Sequence, residues 1–445
     1  MSNSLSDALM ARLGDRTATL GVIGLGYVGL PLAVTAASRG LKTTGFDVDR
    51  SKMAQLDAGE SYIQAVSDEA LAEVTQANRL SWTMDFAQLS ECDVIVICVP
   101  TPLTRYREPN LSYVENTARE IAKHLTAGTL VSLESTSFPG TTAEVMTPIL
   151  SESGLTSGED FFVAFSPERE DPGNANFHTA TIPKIVAGDG EAANKLAQAF
   201  YSIVVDKVVP VSTTQIAEAV KITENIFRAV NIALVNELKV IYDAMGIDVW
   251  EVIDGAATKP FGYMPFYPGP GLGGHCIPVD PFYLTWKARD FGYSTRFIEL
   301  AGEINVNMPR YVLTRLREVL DEECGKGLKG SKILVVGISY KKNVPDMRES
   351  PAVQLVELLL ERGAIAEFHD PHVPAIPKMR NYPNLLDMKS VPAEDIAQND
   401  YDAVLIATDH DAVDYAALVA LGIPIVDTRN VMARRDLPLE NVTKA

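Results

Sequence analysis

One thiol and one carboxylate share the fourteen residues 268–281 with four glycines and four prolines: Pro-Gly-Pro-Gly-Leu-Gly-Gly-His-Cys276-Ile-Pro-Val-Asp280-Pro. Glycine lets backbone N–H groups approach a ligand closely, and proline narrows the freedom of the chain. Such a loop can hold Cys276 at a fixed point, as a nucleophile requires. A free cysteine is more commonly a small buried hydrophobe, and that alternative stays open on the loop alone. Two further groups could do chemistry. Glu218, Lys221, Asn225 and Arg228 recur three or four residues apart, on one face of a helix; a solvated polar stripe has the same spacing. Residues 166–173, Ser-Pro-Glu168-Arg169-Glu-Asp-Pro-Gly, set three acids and an arginine in a turn where charges are ordinarily just solvated.

These residues need elements to position them, and the chain supplies a repeating strand–helix pattern. Residues 18–24 read as a short apolar strand, 24–29 as the turn Gly24-Leu-Gly26-Tyr27-Val28-Gly29, 30–39 as a helix, and 42–47 as a second strand ending in Asp47. That order has the logic of a dinucleotide site: glycines for the turn and for close backbone approach, a helix start for the pyrophosphate, and an acid for the ribose hydroxyls. A carboxylate at position 47 favours NAD over NADP, although Lys52 stands close by in sequence. Residues 92–99, 130–134 and 161–165 read as buried strands. Thr101 and Thr136 follow two of them, at the carboxyl edge where open α/β sheets bind ligands.

From 214 to 245, closed by Gly246, apolar residues at helical spacing predict one long helix of about 45 Å, enough to link two domains and offer a dimer surface. After a Gly/Lys-rich break at 325–330 the opening theme returns, with strands at 331–337, up to 370, 402–407 and 423–427. The loop 338–348 lacks the three-glycine pattern and carries Lys341, Lys342 and Arg348, which suits phosphates held by side chains. The expected fold class is α/β, with two doubly wound Rossmann-like domains joined by a long central helix. The expected boundaries are 1–210 for an NAD-binding domain, 211–324 for a central helical domain with the thiol loop, and 325–445 for the second Rossmann-like domain.

The totals narrow the function. A chain of 445 residues, 47% hydrophobic and 22% charged, has the composition of a soluble globular protein with full cores. A formal net charge of −19 argues against a nucleic-acid or anionic-membrane binder, which needs a basic footprint. Cys92, Cys98, Cys276 and Cys324 lie far apart with no ligand spacing, so neither a disulfide framework nor a metal site is expected, and a reducing cytoplasm is. Arg12 and Arg16 precede an uncharged run, 17–38, in the manner of a signal peptide, but its glycines and Pro31 fit the dinucleotide turn instead.

Taken together, Gly-Leu-Gly-Tyr-Val-Gly-Leu-Pro (24–31), Ser-Pro-Glu-Arg (166–169), Lys-Ile-Thr-Glu-Asn (221–225), Gly-Gly-His-Cys (273–276), Arg-Glu-Ser-Pro (348–351) and Asp-Thr-Arg-Asn (427–430) resemble the UDP-glucose/GDP-mannose dehydrogenase superfamily. The resemblance covers about 20–430. It implies an NAD-dependent, four-electron oxidation of C6 of a UDP-sugar to a carboxylate, with Cys276 as the covalent nucleophile. Lys221 and Asn225 then match an oxyanion-stabilising pair that also meets the substrate, Asp280 a carboxylate handling the hydrolytic water, and Glu168 an acid/base or water-ordering group.

By the same matching, Gly24, Gly26, Tyr27, Val28, Gly29, Asp47, Lys52, Thr101, Thr136 and Arg348 are similar to NAD contacts. Arg169, Arg228, Gly271, Lys341, Lys342 and Arg429 resemble contacts to the UDP-sugar. A family arginine just upstream of the thiol loop has no match in residues 259–267. His275 and Ile277-Pro-Val-Asp280, where UDP-glucose enzymes typically have Phe-Pro-Lys-Asp, look like the N-acetylhexosamine branch. Residues 266–271 and 280–287 look most like UDP-N-acetylglucosamine 6-dehydrogenases, with UDP-N-acetylmannosamine as the runner-up. A homo-oligomer, at least a dimer through the 214–245 helix, is expected.

Overall fold

The computed structural model describes residues 4–104, 106–169, 179–274, 277–379 and 381–445. Its chain divides into two compact units. The first runs up to Glu224 and takes back Phe282–Tyr293; the second comprises Asn225–Pro281 and Ser294–Ala445.

The first unit is built on eight strands: β1 (Thr19–Ile23), β2 (Lys42–Phe46), β3 (Leu80–Thr83), β4 (Val94–Ile97), β5 (Leu130–Leu133), β6 (Phe162–Phe165), β7 (Lys184–Gly188) and β8 (Val208–Pro210). They lie in the order β3-β2-β1-β4-β5-β6-β7-β8. Strands β1 to β6 are mutually parallel, and β7 pairs antiparallel to β6. In β4 every residue is buried, because a sheet covered on both faces leaves no side for water. Alternation still sorts the side chains: Val94 and Val96 join the core under the N-terminal helix Ser4–Gly14 and the helix Gly29–Ser38, whereas Ile95 and Ile97 face the other core, with Val114 and Ile121. Arg12, which precedes the uncharged run, is paired with Asp93 at the foot of β4.

The second unit carries five parallel strands, β9 (Lys332–Val336), β10 (Ile365–His369), β11 (Ala403–Ile406), β12 (Ile425–Asp427) and β13 (Val442–Lys444), in the order β10-β9-β11-β12-β13. The helix Pro351–Glu361 starts where the local chemistry tells it to. The Ser350 hydroxyl accepts the Ala352 N–H, and Pro351 occupies a first-turn position that needs no donor. The long helix runs Thr214–Ala244, within a residue of its expected span. A second long helix, Arg296–Cys324, ends at Gly325 in the left-handed region. Among the described residues no helix is long and apolar enough to cross a membrane.

Candidate cofactor and catalytic sites

At the first turn, Gly24 has φ +91°, and a Cβ there would come within 2.5 Å of the Cys98 carbonyl oxygen, so only glycine fits. Its N–H reaches back to the Phe46 carbonyl at 2.7 Å, and the next N–H, of Leu25, donates to Asp47 Oδ2 at 2.8 Å. A Cβ on Gly29 would run into the Gly24 carbonyl, which is how closely the helix Gly29–Ser38 packs on β1. A Cβ on Gly26 would meet nothing within 4 Å, so that position is open for a ligand to approach the backbone. Asp47, buried, also accepts the Asp49 N–H at Oδ1 (3.0 Å) and the Lys52 ammonium at Oδ2 (2.7 Å). Two donors on Oδ2 and one on Oδ1 leave Oδ1 room for a ribose hydroxyl. Tyr27 and Val28 are half-buried at the same turn. These residues fit a dinucleotide.

The neighbouring strand ends are tied to one another. The Ser135 hydroxyl, after β5, donates to the Val99 carbonyl after β4 at 2.6 Å. Thr101 is buried, and its carbonyl accepts the Tyr283 hydroxyl at 2.8 Å; Thr136 is half-buried. Tyr283 belongs to the segment Phe282–Tyr293, in which Trp286 also packs its ring 5.0 Å from that of Phe138. The sequence reading missed both aromatics.

Glu168 and Lys221, 53 residues apart, meet in the first unit. Glu168 Oε2 lies 3.4 Å from Lys221 Nζ, and both are nearly buried. Beside them an open pocket is lined by Val28, Leu32, Glu134, Glu168, Arg169 and Lys184 among others. Its floor is an ion pair that the sequence did not reveal, Lys184 Nζ to Glu134 Oε2 at 2.9 Å, with the Tyr201 hydroxyl donating to Glu134 Oε1 at 2.8 Å. Arg169 is held within this unit: its guanidinium donates to both oxygens of Glu224 (2.6 and 3.4 Å) and to the Pro183 carbonyl (2.6 Å).

In the second unit the Asn225 amide donates to Asp280 Oδ2 at 2.5 Å, both groups buried. Cys276 and His275 lie outside the described residues, but the loop leading to them is firmly placed. The Gly269 N–H donates to Asn236 Oδ1 at 3.0 Å, Asn236 donates to Asn305 at 2.9 Å, and the Gly274 N–H donates to the Arg348 carbonyl at 3.0 Å. A Cβ on Gly269 would stand 2.6 Å from Arg429 Nη1, so glycine there gives the half-buried Arg429 guanidinium its place. Gly271, at φ +143°, passes against Pro351. Asn236 and Asn305 escaped the sequence reading because an asparagine in an apolar helix carries no spacing signal.

Other expected contacts are only partly gathered. Arg348 forks onto Asp346 (2.6 to 3.0 Å), Lys342 pairs with Asp411 at 2.7 Å, Lys341 is half-buried and Arg228 exposed. The three described thiols are poor nucleophiles: burial pushes Cys92 up to about 12, raises Cys98 well above the usual range, and raises Cys324.

Comparison with known proteins fits this geometry. The UDP-glucose/GDP-mannose dehydrogenase family matches by its NAD binding domain over residues 18–229, its central domain over 215–307 and its UDP binding domain over 334–434. A UDP-N-acetyl-D-glucosamine 6-dehydrogenase of Pseudomonas aeruginosa is 36% identical over 391 residues, 87% of this chain and 90% of its own. A UDP-N-acetyl-D-mannosamine dehydrogenase of Pyrococcus horikoshii is 34% identical over 422 residues, 93% and 96% of the two chains. The solved structure of a UDP-D-ManNAc dehydrogenase from Pyrococcus horikoshii superposes with a TM-score of 0.85 at 33% identity, covering 96% of this chain and 98% of that one. The chain therefore belongs to the UDP-glucose/GDP-mannose dehydrogenase family and is an NAD-dependent oxidoreductase of that family.

Proposed function

We propose that the chain oxidises C6 of UDP-N-acetylglucosamine to the carboxylate, with two NAD and one water, as a precursor step for a surface polysaccharide. NAD supplies the hydride acceptor. The chain supplies the rest: Cys276 adds as thiolate to the C6 aldehyde, the thiohemiacetal so formed loses a second hydride to give a thioester, and water releases the acid and the free thiol. Lys221 and Asn225 stabilise the oxyanions. Asp280 handles the proton of the hydrolytic water, and Glu168 orders that water or acts as an acid/base group.

The observation that carries this reading is the pairing of rare buried polar groups, Glu168 with Lys221 and Asn225 with Asp280, at the positions where the family's motifs fall. Burying such groups is costly unless they are paired, and buried titratable pairs cluster at functional sites. Arg169, Arg228, Gly271, Lys341, Lys342 and Arg429 are proposed for the UDP-sugar, and Gly24, Gly26, Tyr27, Val28, Gly29, Asp47, Lys52, Thr101, Thr136 and Arg348 for NAD. The run from His275 to Asp280 favours an N-acetylhexosamine over glucose, and residues 266–271 and 280–287 with the Pseudomonas relative favour UDP-N-acetylglucosamine; the Pyrococcus relative keeps UDP-N-acetylmannosamine as the second reading, with UDP-glucose behind both.

The test is NADH formed per mole of limiting sugar. Two NADH from UDP-N-acetylglucosamine alone is the expected result. Two from UDP-N-acetylmannosamine alone moves the substrate, and one from any sugar removes the covalent step. Cys276→Ser is expected to bind NAD and sugar while losing steady turnover. We place the enzyme in the cytoplasm as a homo-oligomer, at least a dimer, through the long helix. That helix leaves Phe227, Leu234 and Ile241 between 47% and 50% exposed; sedimentation at monomer mass would sink the dimer.

A further inference from the structure

Glu218 is a buried carboxylate that the proposed reaction does not use. It stands three residues before Lys221 on the long helix, is fully buried, and accepts the Gly140 N–H at 2.5 Å, the Thr142 N–H at 2.8 Å and the Thr142 hydroxyl at 2.7 Å. All three donors belong to one turn. Gly140, at φ +109°, leads into a π-helix, Thr141–Met146, a conformation that is rare and tends to persist only where something holds it.

The turn is gripped from a second side. Glu144 accepts the Lys287 ammonium at 2.7 Å, and that ammonium lies 5.2 Å over the ring of Phe138. Towards its N-terminal end the same stretch carries Thr136 and Ser135, the latter bonded to the end of β4. A single run, 135–146, thus supports the cofactor edge of the sheet and is fastened to the helix of Lys221 through one side chain.

We infer that Glu218 is a positioning residue: its carboxylate locks the 140–146 turn to the Lys221 helix and keeps the cofactor edge and the Lys221 ammonium in register, touching neither NAD nor sugar. The role given to Lys221 rests on the proposed function above; the effect on the cofactor edge does not. Glu144, itself paired with Lys287, is a charged group that bears on Glu218, and Lys221 follows three residues later on the same helix with its ammonium on Glu168. Burial pushes the Glu218 carboxyl up to about 7, against the pull of its three donors and with Glu144 adding to the rise. The ionised form, which accepts all three bonds, therefore fills in as pH rises through 7. The folded chain holds this proton where the unfolded chain, with an ordinary value near 4.5, has lost it. The stability contribution of the group accordingly falls as pH rises from 4.5 to 7.

The experiment is Glu218→Gln in the full chain, read by NADH titration from pH 6 to 8 and by the KM for NAD against kcat. One amide oxygen cannot accept from three donors, so NADH affinity is expected to fall about tenfold at pH 8, the order set by one lost charge-assisted hydrogen bond. The KM for NAD is expected to rise more than kcat falls, and the dependence of binding on pH near 7 to disappear. Binding within twofold of wild type with the wild-type pH dependence overturns the inference. Should that variant not fold, Thr142→Val removes one donor only and is expected to weaken NADH about threefold; unchanged binding there overturns it equally. The binding arm needs no sugar. A wild-type chain that binds NADH but oxidises no UDP-sugar would sink the substrate proposal and leave this test intact.

Discussion

The two sheets open with the same turn and finish it differently. After β1, Gly24 (φ +91°) donates to the carbonyl of Phe46, and Leu25 donates to Asp47 at 2.8 Å. After β9, Gly337 (φ +80°) donates to the carbonyl of His369, and Ile338 donates to Asp370 at 2.7 Å. From there they part. The first turn is stripped to backbone by Gly26 and Gly29, and Asp47 keeps an oxygen with capacity to spare. The second carries Ser339, Lys341 and Lys342, and Asp370 is saturated by the N–H groups of Ile338, Ser339, His372 and Val373, the Ser339 hydroxyl and His410 Nε2 at 3.0 Å. The His410 tautomer is fixed, since Nδ1 accepts the Asn343 N–H. An acid at the end of the second strand is thus part of how such a turn closes. What marks a cofactor site is acceptor capacity left over beside a backbone bared by glycine.

The largest way to break the comparison is Gly29→Ala. Its Cβ would strike the Gly24 carbonyl, so we expect a loss of about 3 kcal/mol in denaturant unfolding and NADH binding weakened beyond a hundredfold. Asp370→Asn is expected to cost a similar amount, about 3 kcal/mol, because it strands several buried donors, yet to leave NADH affinity unchanged; weakened NADH binding would show that the second turn also serves the cofactor. Gly26→Ala should do the converse, lowering NADH affinity about tenfold, near 1.4 kcal/mol; Asp47→Asn should lower it by a similar factor and also cost stability, because it strands donors held by a buried carboxylate. Gly26→Ala should leave the melting temperature within a degree or two, because its Cβ meets nothing in the protein.

The smallest effect is on acid stability. Burial pushes the Asp370 carboxyl up, but His410 and the N–H groups of His372 and Ile338 outweigh it and hold the group below its usual 3.8. Its contribution is present above that value and lost as pH falls through the lower folded value. Asp370→Asn should therefore flatten the loss of stability with acid below about pH 4. An unchanged slope would assign acid unfolding to other carboxylates.

Both turns and both sheets were legible because strands covered on two faces read as unbroken apolar runs, such as Val-Ile-Val-Ile in β4 and Lys-Ile-Leu-Val-Val in β9. β3 (Leu-Ser-Trp-Thr), β8 (Val-Val-Pro) and β13 (Val-Thr-Lys) were not, since none of them carries an unbroken apolar run. Nothing in Lys184–Gly188 announces that β7 runs against its neighbour. The helical stripe of Glu218, Lys221, Asn225 and Arg228 was visible as spacing, and its members then diverge: the first three are buried against partners 53 to 78 residues away in sequence and Arg228 is exposed. Spacing fixes which face a side chain shares; which distant group fills the space opposite is a matter of tertiary packing. The Glu134–Lys184 pair and the Asn236–Asn305 pair were hidden for that reason.

The return of Phe282–Tyr293 to the first unit bears on how the chain is made. With the Tyr283 hydroxyl on the Thr101 carbonyl, Trp286 on Phe138 and Lys287 on Glu144, the cofactor-binding half lacks part of its own packing until residue 293 has left the ribosome, some seventy residues after its last strand-bearing stretch ends. A nascent chain stopped at Glu224 would hold the whole eight-stranded sheet and still expose Phe138 and the 140–146 turn to early partners. Synthesis thereby imposes an order: all eight strands leave the ribosome before the segment that covers Phe138 and the 140–146 turn.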